Sequence, residues 1–241
     1  MNEYQNILFT QSDYIGVITL NRPDIHNALD PRTWAEIRSV AGKIDFDRQI
    51  RVLVITGAGG QSFAAGSDVR SLSKRTTLEL LKSEAHASLA KLESLAKPVI
   101  AAIDGFAIGG GCELALACDI RIATSRSKLG QPETGLGIIP GAGGTQRLQK
   151  IIGFAKAKEM ILTGKIIDAY TAKKIGLLNI VVEHSRELMP EVYEIANKIA
   201  TNNPLSVGLA KYIINTGVKL HSGQLLDRLA AVVGKAEIEN K

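Results

Sequence analysis

Residues 107–119 read AIGGGCELALACD, and the rest of the chain is best understood outward from them. Gly109, Gly110 and Gly111 stand directly before Cys112, Glu113 and an apolar run. Each glycine costs roughly 0.5–1 kcal/mol relative to alanine wherever regular structure follows. Three together therefore mark a place where something approaches the backbone closely, or where the backbone turns as a Cβ would forbid. Leu114 to Cys118 leave the helix that follows without a polar face, and a helix apolar all round is buried. Glu113 is expected to be desolvated at its mouth, although an acid in a first turn also simply offsets the helix dipole.

On either side, strands and helices alternate. "PVIAAIDG" leads into the glycines as a buried strand, and "IRIAT" follows as another. Towards the N-terminus, "NILFT", a turn at "QSD" and "IGVITL" read as a hairpin. "NRPDIHNALD" is a polar loop ending in Asp30-Pro31, an N-cap residue followed by proline at the first helical position, with a helix to about Asp45. "RVLVIT" is a buried strand and "GAGGQSFAAGSD" a glycine-rich loop. Thr76 and Glu79 form a capping box for a long helix ending near Ala96. From about residue 144 helices dominate, interrupted by "NIVVE" as a strand.

Composition narrows the class. The chain has 241 residues, 45% of them hydrophobic and 22% charged, as in ordinary globular proteins. Its apolar runs are too short to span a bilayer, and "MNEYQNILFTQSDY" lacks the pattern of a signal peptide. Cys112 and Cys118 suggest no disulfide framework, so a cytoplasmic location is expected. A net charge of +5 suits a polyanionic ligand or simply a soluble basic protein. The basic residues are dispersed, which argues against a nucleic-acid tail.

Several site types are set aside. "GLGIIPG" has proline where a dinucleotide fingerprint needs its third glycine. No phosphate-binding G-x-x-x-x-G-K-[ST] is present. His26, His86, His184 and His221 lack metal-ligand spacing, so no metal is expected. Ser67 in "AAGSD" lacks the G-x-S-x-G elbow of a nucleophile. What remains is Glu113 and, in "GQPETGLG", Glu133, which alone reads as a loop acid. A helix N-terminus with no Cβ atoms can present N–H groups to a ligand oxygen, and "FAAGSD" can supply a second donor. Two donors facing one oxygen, with two carboxylates nearby, suit acyl or enolate chemistry on a carbonyl compound.

"FAAGSDV", "PVIAAIDGFAIGGGCELALACDIRIA" and "LGQPETGLGIIPGAGGTQRL", with "NRPDIHNAL" before them, resemble the enoyl-CoA hydratase/isomerase, or crotonase, superfamily, most densely over residues 21–148. The resemblance implies an α/β fold, a crotonase-like spiral of ββα units over residues 1–190, with a helical C-terminal trimerisation region over 191–241. It implies a homotrimer, or a hexamer formed by two trimers, and an acyl-CoA thioester substrate. Coenzyme A is then part of the substrate and no separate cofactor is expected. The backbone N–H groups of Ser67 and Gly110 would hold the thioester oxygen. Ala65, Ser67, Asp68, Val69, Arg70 and Gly110 would line the CoA site, although Arg70 reads equally as a solvated helix-start residue. Gly141 would help to orient the second glutamate and the water. Glu113 and Glu133 match the two glutamates of the hydratases, with Glu113 activating water and Glu133 delivering a proton. Two such carboxylates should not both ionise fully, so one pKa should rise.

Two departures accompany the match. Relatives commonly continue past "LLDRLAA" through an acidic turn and a basic helix, whereas "AEIENK" follows here. This leaves two readings, a tail outside this sequence or a more open pocket. "AAIDG" also replaces a more usual asparagine before the glycine. Two other functions stand beside hydration. A Δ3-Δ2-enoyl-CoA isomerase needs one proton shuttle, most naturally Glu133, and the presence of Glu113 favours the hydratase. A nucleic-acid-binding role has only the basic charge behind it, and aromatics make up just 5% of the chain, too few for a stacking platform.

Overall fold

The computed structural model describes residues 4–67 and 83–216. The Thr76–Glu79 capping box and the segment after Thr216 lie outside them.

The expected hairpin forms, with β1 (Ile7–Ser12) antiparallel to β2 (Ile15–Leu20). The helix α1 (Pro31–Phe46) starts where Asp30-Pro31 placed it, and the Asp30 carboxylate accepts from the Thr33 N–H at 2.8 Å. Three successive turns of chain then repeat one pattern. Strand β3 (Val52–Gly57) is followed by the short β4 (Ser62–Ala64) and then α2 (Glu84–Ser94). Strand β5 (Val99–Ile103) is followed by β6 (Phe106–Ile108) and α3 (Gly110–Ala117). Strand β7 (Ile120–Thr124) is followed by β8 (Lys128–Gly130), a 3-10 turn at Glu133–Leu136, and α4 (Gly144–Thr163). Then come β9 (Ile166–Asp168), α5 (Ala169–Lys174), β10 (Ile180–Val182), α6 (Ser185–Ala200) and α7 (Pro204–Thr216). In α4, Gly153 adopts φ +78°, a non-helical break that divides it into two helical stretches.

The repeat builds two sheets at once. The first strands of each turn join a six-stranded sheet in the order β1-β2-β3-β5-β7-β10, and the second strands join a four-stranded sheet, β4-β6-β8-β9. Neighbours β3, β5 and β7 are parallel, as are β4, β6 and β8. This is the ββα spiral the sequence implied.

Alternation along the large sheet explains its apolar runs. Leu53, Ile55, Val99, Ala101 and Ile103 face the main core with α1, α2 and α3. Val52, Val54, Ile100, Ala102 and Ile122 face the other way, onto Leu188, Val192, Ala196 and Ala200 of α6. A parallel strand buried on both faces has no polar side to show. The last described helix is fastened differently. Lys211 of α7, 8% exposed, reaches into the body of the protein. Its Nζ pairs with Asp119 at 2.7 Å and donates to the carbonyls of Lys97 and Leu92 at 3.0 and 3.2 Å. A buried ammonium is tolerated because all its donors are engaged.

Candidate active site

Because β4, β6 and β8 are parallel neighbours, the segments that follow them emerge on one edge of the small sheet. After β4 come Ala65, Gly66 and Ser67; after β6, the three glycines; after β8, Gln131, Pro132 and Glu133. Register fixes the alignment: Ala64 lies opposite Ala107, and Ile108 opposite Gly130. Pieces more than 60 residues apart in sequence thus converge at the carboxyl ends of adjacent parallel strands, where open α/β sheets commonly bind ligands.

Each of the three glycines is there for a different reason. Gly109 adopts φ +53° and ψ −121°, a conformation that L side chains rarely reach, and an added Cβ would lie 3.1 Å from Glu133 Oε1. Gly110 opens α3, and a Cβ on it would lie 3.1 Å from Ser67 Oγ and 3.5 Å from Ser67 N. Gly111 packs so tightly that a Cβ would sit 2.0 Å from the Ala64 carbonyl oxygen. The first sets the turn, the second leaves space beside Ser67, and the third joins helix to strand.

The structure brings Ser67 and Gly110 together. The Gly66 carbonyl accepts from the Leu29 N–H at 2.8 Å, which anchors the Ser67 loop. Neither the Ser67 nor the Gly110 N–H donates to another described residue. Ala65 is exposed and its N–H donates to the His26 carbonyl at 3.0 Å. Asp68, Val69 and Arg70 lie outside the described residues.

Glu113 and Glu133 are both buried, at 3% and 9% exposure. Glu113 Oε1 accepts from the N–H groups of Ala142 and Gly144, at 2.8 and 2.7 Å. Desolvation outweighs these bonds and lifts its pKa above the usual carboxylate range, with the charges of Arg147 and His86 opposing. Glu133 begins the 3-10 turn. Burial pushes its pKa up to about 7, its own backbone N–H pulls it down, and the charge of Glu113 adds to the rise. One of the two carboxyls is thus held protonated near neutrality by an apolar site and a like charge.

Two features were not anticipated. The fully buried Gln131 turns its amide end to both oxygens of Glu133, and the atom 3.0 and 3.2 Å from them is assigned as the nitrogen, because an oxygen there would face only acceptors. It sat inside the quoted "GQPE" without a role. The donors to Glu113 are the peptides of Ala142 and Gly144, whereas Gly141 is exposed and presents its carbonyl to His86 Nδ1 at 3.2 Å. No bond from Gly141 to Glu133 occurs among the described residues. Beside the glutamates, burial first and then the charge of Glu113 push the Cys112 thiol up to about 12, which keeps it protonated and un-nucleophilic.

The raised Glu133 pKa has a consequence for stability. The folded chain keeps this proton up to about pH 7, while an unfolded one releases it near 4.5. The stability that the proton contributes is therefore complete below 4.5 and lost as pH rises to about 7. Glu133→Gln should lack this loss, so denaturant midpoints of variant and wild type should agree near pH 4 and separate by pH 8, with the variant more stable. Parallel curves across that range would contradict the assigned protonation.

The model of the enoyl-CoA hydratase/isomerase family matches residues 10–235. Over 219 residues, 90% of this chain and 84% of the other, the sequence is 47% identical to a short-chain-enoyl-CoA hydratase of Clostridium acetobutylicum. It is 43% identical to a crotonyl-CoA hydratase of Syntrophomonas wolfei, over 90% of this chain and 84% of that one. The crystal structure of an enoyl-CoA hydratase from Bacillus anthracis superposes with a TM-score of 0.91 at 41% identity, covering 94% of this chain and 90% of its own. The chain belongs to the enoyl-CoA hydratase/isomerase family. Within that family, its α/β architecture is the one found in the enoyl-CoA hydratases.

Proposed function

We infer that the protein is an enoyl-CoA hydratase, a hydro-lyase that adds water to the double bond of a 2-enoyl-CoA with a short acyl chain. The observation that carries this reading is the pair of buried carboxyls, Glu113 and Glu133, beside the Ser67 and Gly110 N–H groups, which donate to no other described residue. The thioester oxygen sits between the Ser67 and Gly110 N–H groups, which stabilise the enolate-like charge that develops on it. Water attacks Cβ as Glu113 accepts one of its protons, and Glu133 delivers a proton to Cα, so that both new bonds form on one face. Ala65, Asp68, Val69 and Arg70 are the remaining candidates for CoA contacts. Coenzyme A enters and leaves as part of the substrate and product, with no separate cofactor.

The isomerase reaction would need one shuttle, and the backbone cradle built around Glu113 supports hydration instead. A short acyl chain follows the relatives named for crotonyl-CoA and short-chain substrates. Self-association as a trimer or hexamer is supported by large apolar side chains left exposed, among them Leu136, Ile139, Phe154 and Leu162. A cytoplasmic setting fits two free, buried cysteines, and no described helix is long and apolar enough to cross a membrane. Loss of the conjugated enoyl-thioester absorbance of crotonyl-CoA tests the activity, and light scattering on the same sample tests the assembly. Hydration to 3-hydroxybutyryl-CoA by a particle of three or six chains is the expected result. An inert protein that interconverts 3-enoyl and 2-enoyl thioesters would replace the hydratase by the isomerase.

A further inference from the structure

The segment that holds Glu113 is itself held from behind. Arg147, in the first turn of α4, makes a forked pair with Glu93, near the end of α2: Nε to Oε1 at 2.7 Å and Nη2 to Oε2 at 2.6 Å. Its third nitrogen, Nη1, donates to the Ala142 carbonyl at 2.6 Å. The N–H of the same Ala142 donates to Glu113 at 2.8 Å. The loop is shaped around the guanidinium, for Gly143 adopts φ +98° and a Cβ there would lie 2.3 Å from Nη1. Seven residues before Glu93, on the same face of α2, His86 meets the carbonyl of the peptide whose N–H belongs to Ala142.

We propose that the Glu93–Arg147 pair is a positioning element for hydration, fixing the Ala142 peptide and through it the Glu113 carboxylate. The Arg147 side chain is 12% exposed and that of Glu93 40%, so the pair is partly shielded from solvent. As geometry it ties three elements, α2, α4 and the loop at 141–143, at one point next to the reacting atoms. A carboxylate must be aimed closely to accept a proton in the transition state, and a displacement of about 1 Å can cost about 100-fold in rate. Neither Arg147 nor Glu93 touches substrate in this reading, which rests on Glu113 as the group that activates water.

Two variants separate position from charge. Arg147→Lys keeps the positive charge near Glu113 and loses the fork that spans Glu93 and Ala142. Glu93→Gln leaves Arg147 charged and weakens its anchor. Both should lower kcat for crotonyl-CoA by about 10- to 100-fold with KM held within about two-fold, because the interaction matters in the transition state. The double variant should be no slower than the slower single one, as expected of residues acting as one unit. In a Glu113→Gln background, Arg147→Lys should leave the residual rate unchanged. A Glu93→Gln enzyme with wild-type kcat overturns the proposal, as does a pair whose effects simply multiply. Should Arg147→Lys fail to fold, Glu93→Gln decides alone. Failure of the underlying reading is seen separately, as a Glu113→Gln enzyme that still hydrates crotonyl-CoA.

Discussion

Glu133→Gln should slow crotonyl-CoA hydration by about 10²- to 10⁴-fold, the usual worth of a positioned acid or base, and Glu113→Gln should do the same. Glutamine matches each side chain in volume, so the loss reports proton transfer more than packing. The two variants should part company in their pH profiles. With Glu133 intact and titrating at about 7, kcat/KM of the wild type falls as pH rises through that value, because the hydration direction needs its proton. Glu113 must be ionised, which sets the acid limb. Glu113→Gln also removes the charge that adds to the rise of the Glu133 pKa, so the alkaline limb of its residual activity should move to lower pH. It should not return to an ordinary carboxylate value, since burial is the larger cause. Stopped-flow absorbance across pH 5 to 9 measures both rate and limbs. A Glu113→Gln enzyme at wild-type rate would remove Glu113 from the reaction.

Gly110→Pro should be nearly as damaging. A backbone donor cannot be deleted by changing a side chain, but proline carries no N–H, and the first helical position tolerates it. Loss of one oxyanion donor costs about 10²- to 10³-fold in kcat. Gly110→Ala is the informative companion. It keeps the donor and adds a Cβ at 3.1 Å from Ser67 Oγ, which the hydroxyl can relieve by rotating. The alanine variant should therefore stay within about ten-fold of wild type, while the proline variant falls much further. Equal losses would mean that space, not the N–H, is what Gly110 supplies.

The sequence shows its long elements well and its short ones poorly. Asp30-Pro31 announces a helix because an N-cap oxygen and a preset φ act locally. "VLVIT" and "VIAAI" announce buried strands because both of their faces are apolar. Strands β4, β6, β8 and β9 hide, because three residues are too few to show an alternation. "GAGGQSFAAGSD" accordingly reads as a loop although it contains β4. Yet those short strands are what gather Ser67, Gly110 and Glu133 to one edge. Glycines and acids in apolar company were legible as chemistry; their supports were not. Ala142 and Gly144 act through backbone N–H groups, which every residue but proline possesses. Arg147 and Glu93 stand 54 residues apart and look like surface charges on two helices. Only folding reveals that they meet behind Glu113.

Lys211 carries a lesson about order in time. Its ammonium fills a place bounded by Asp119 and by the carbonyls of Leu92 and Lys97, while Asn215 donates to the carbonyl of Glu93 at 3.3 Å. When residue 211 has not yet left the ribosome every described strand of both sheets has already been made, but that acid and those carbonyls lack their ammonium. Helix α2, which carries Glu93 and His86, then lacks the bonds that Lys211 and Asn215 make to its carbonyls at Leu92 and Glu93. Translation thus delivers Glu113 and Glu133 well before it delivers Lys211, the residue that ties α7 to the scaffold behind them.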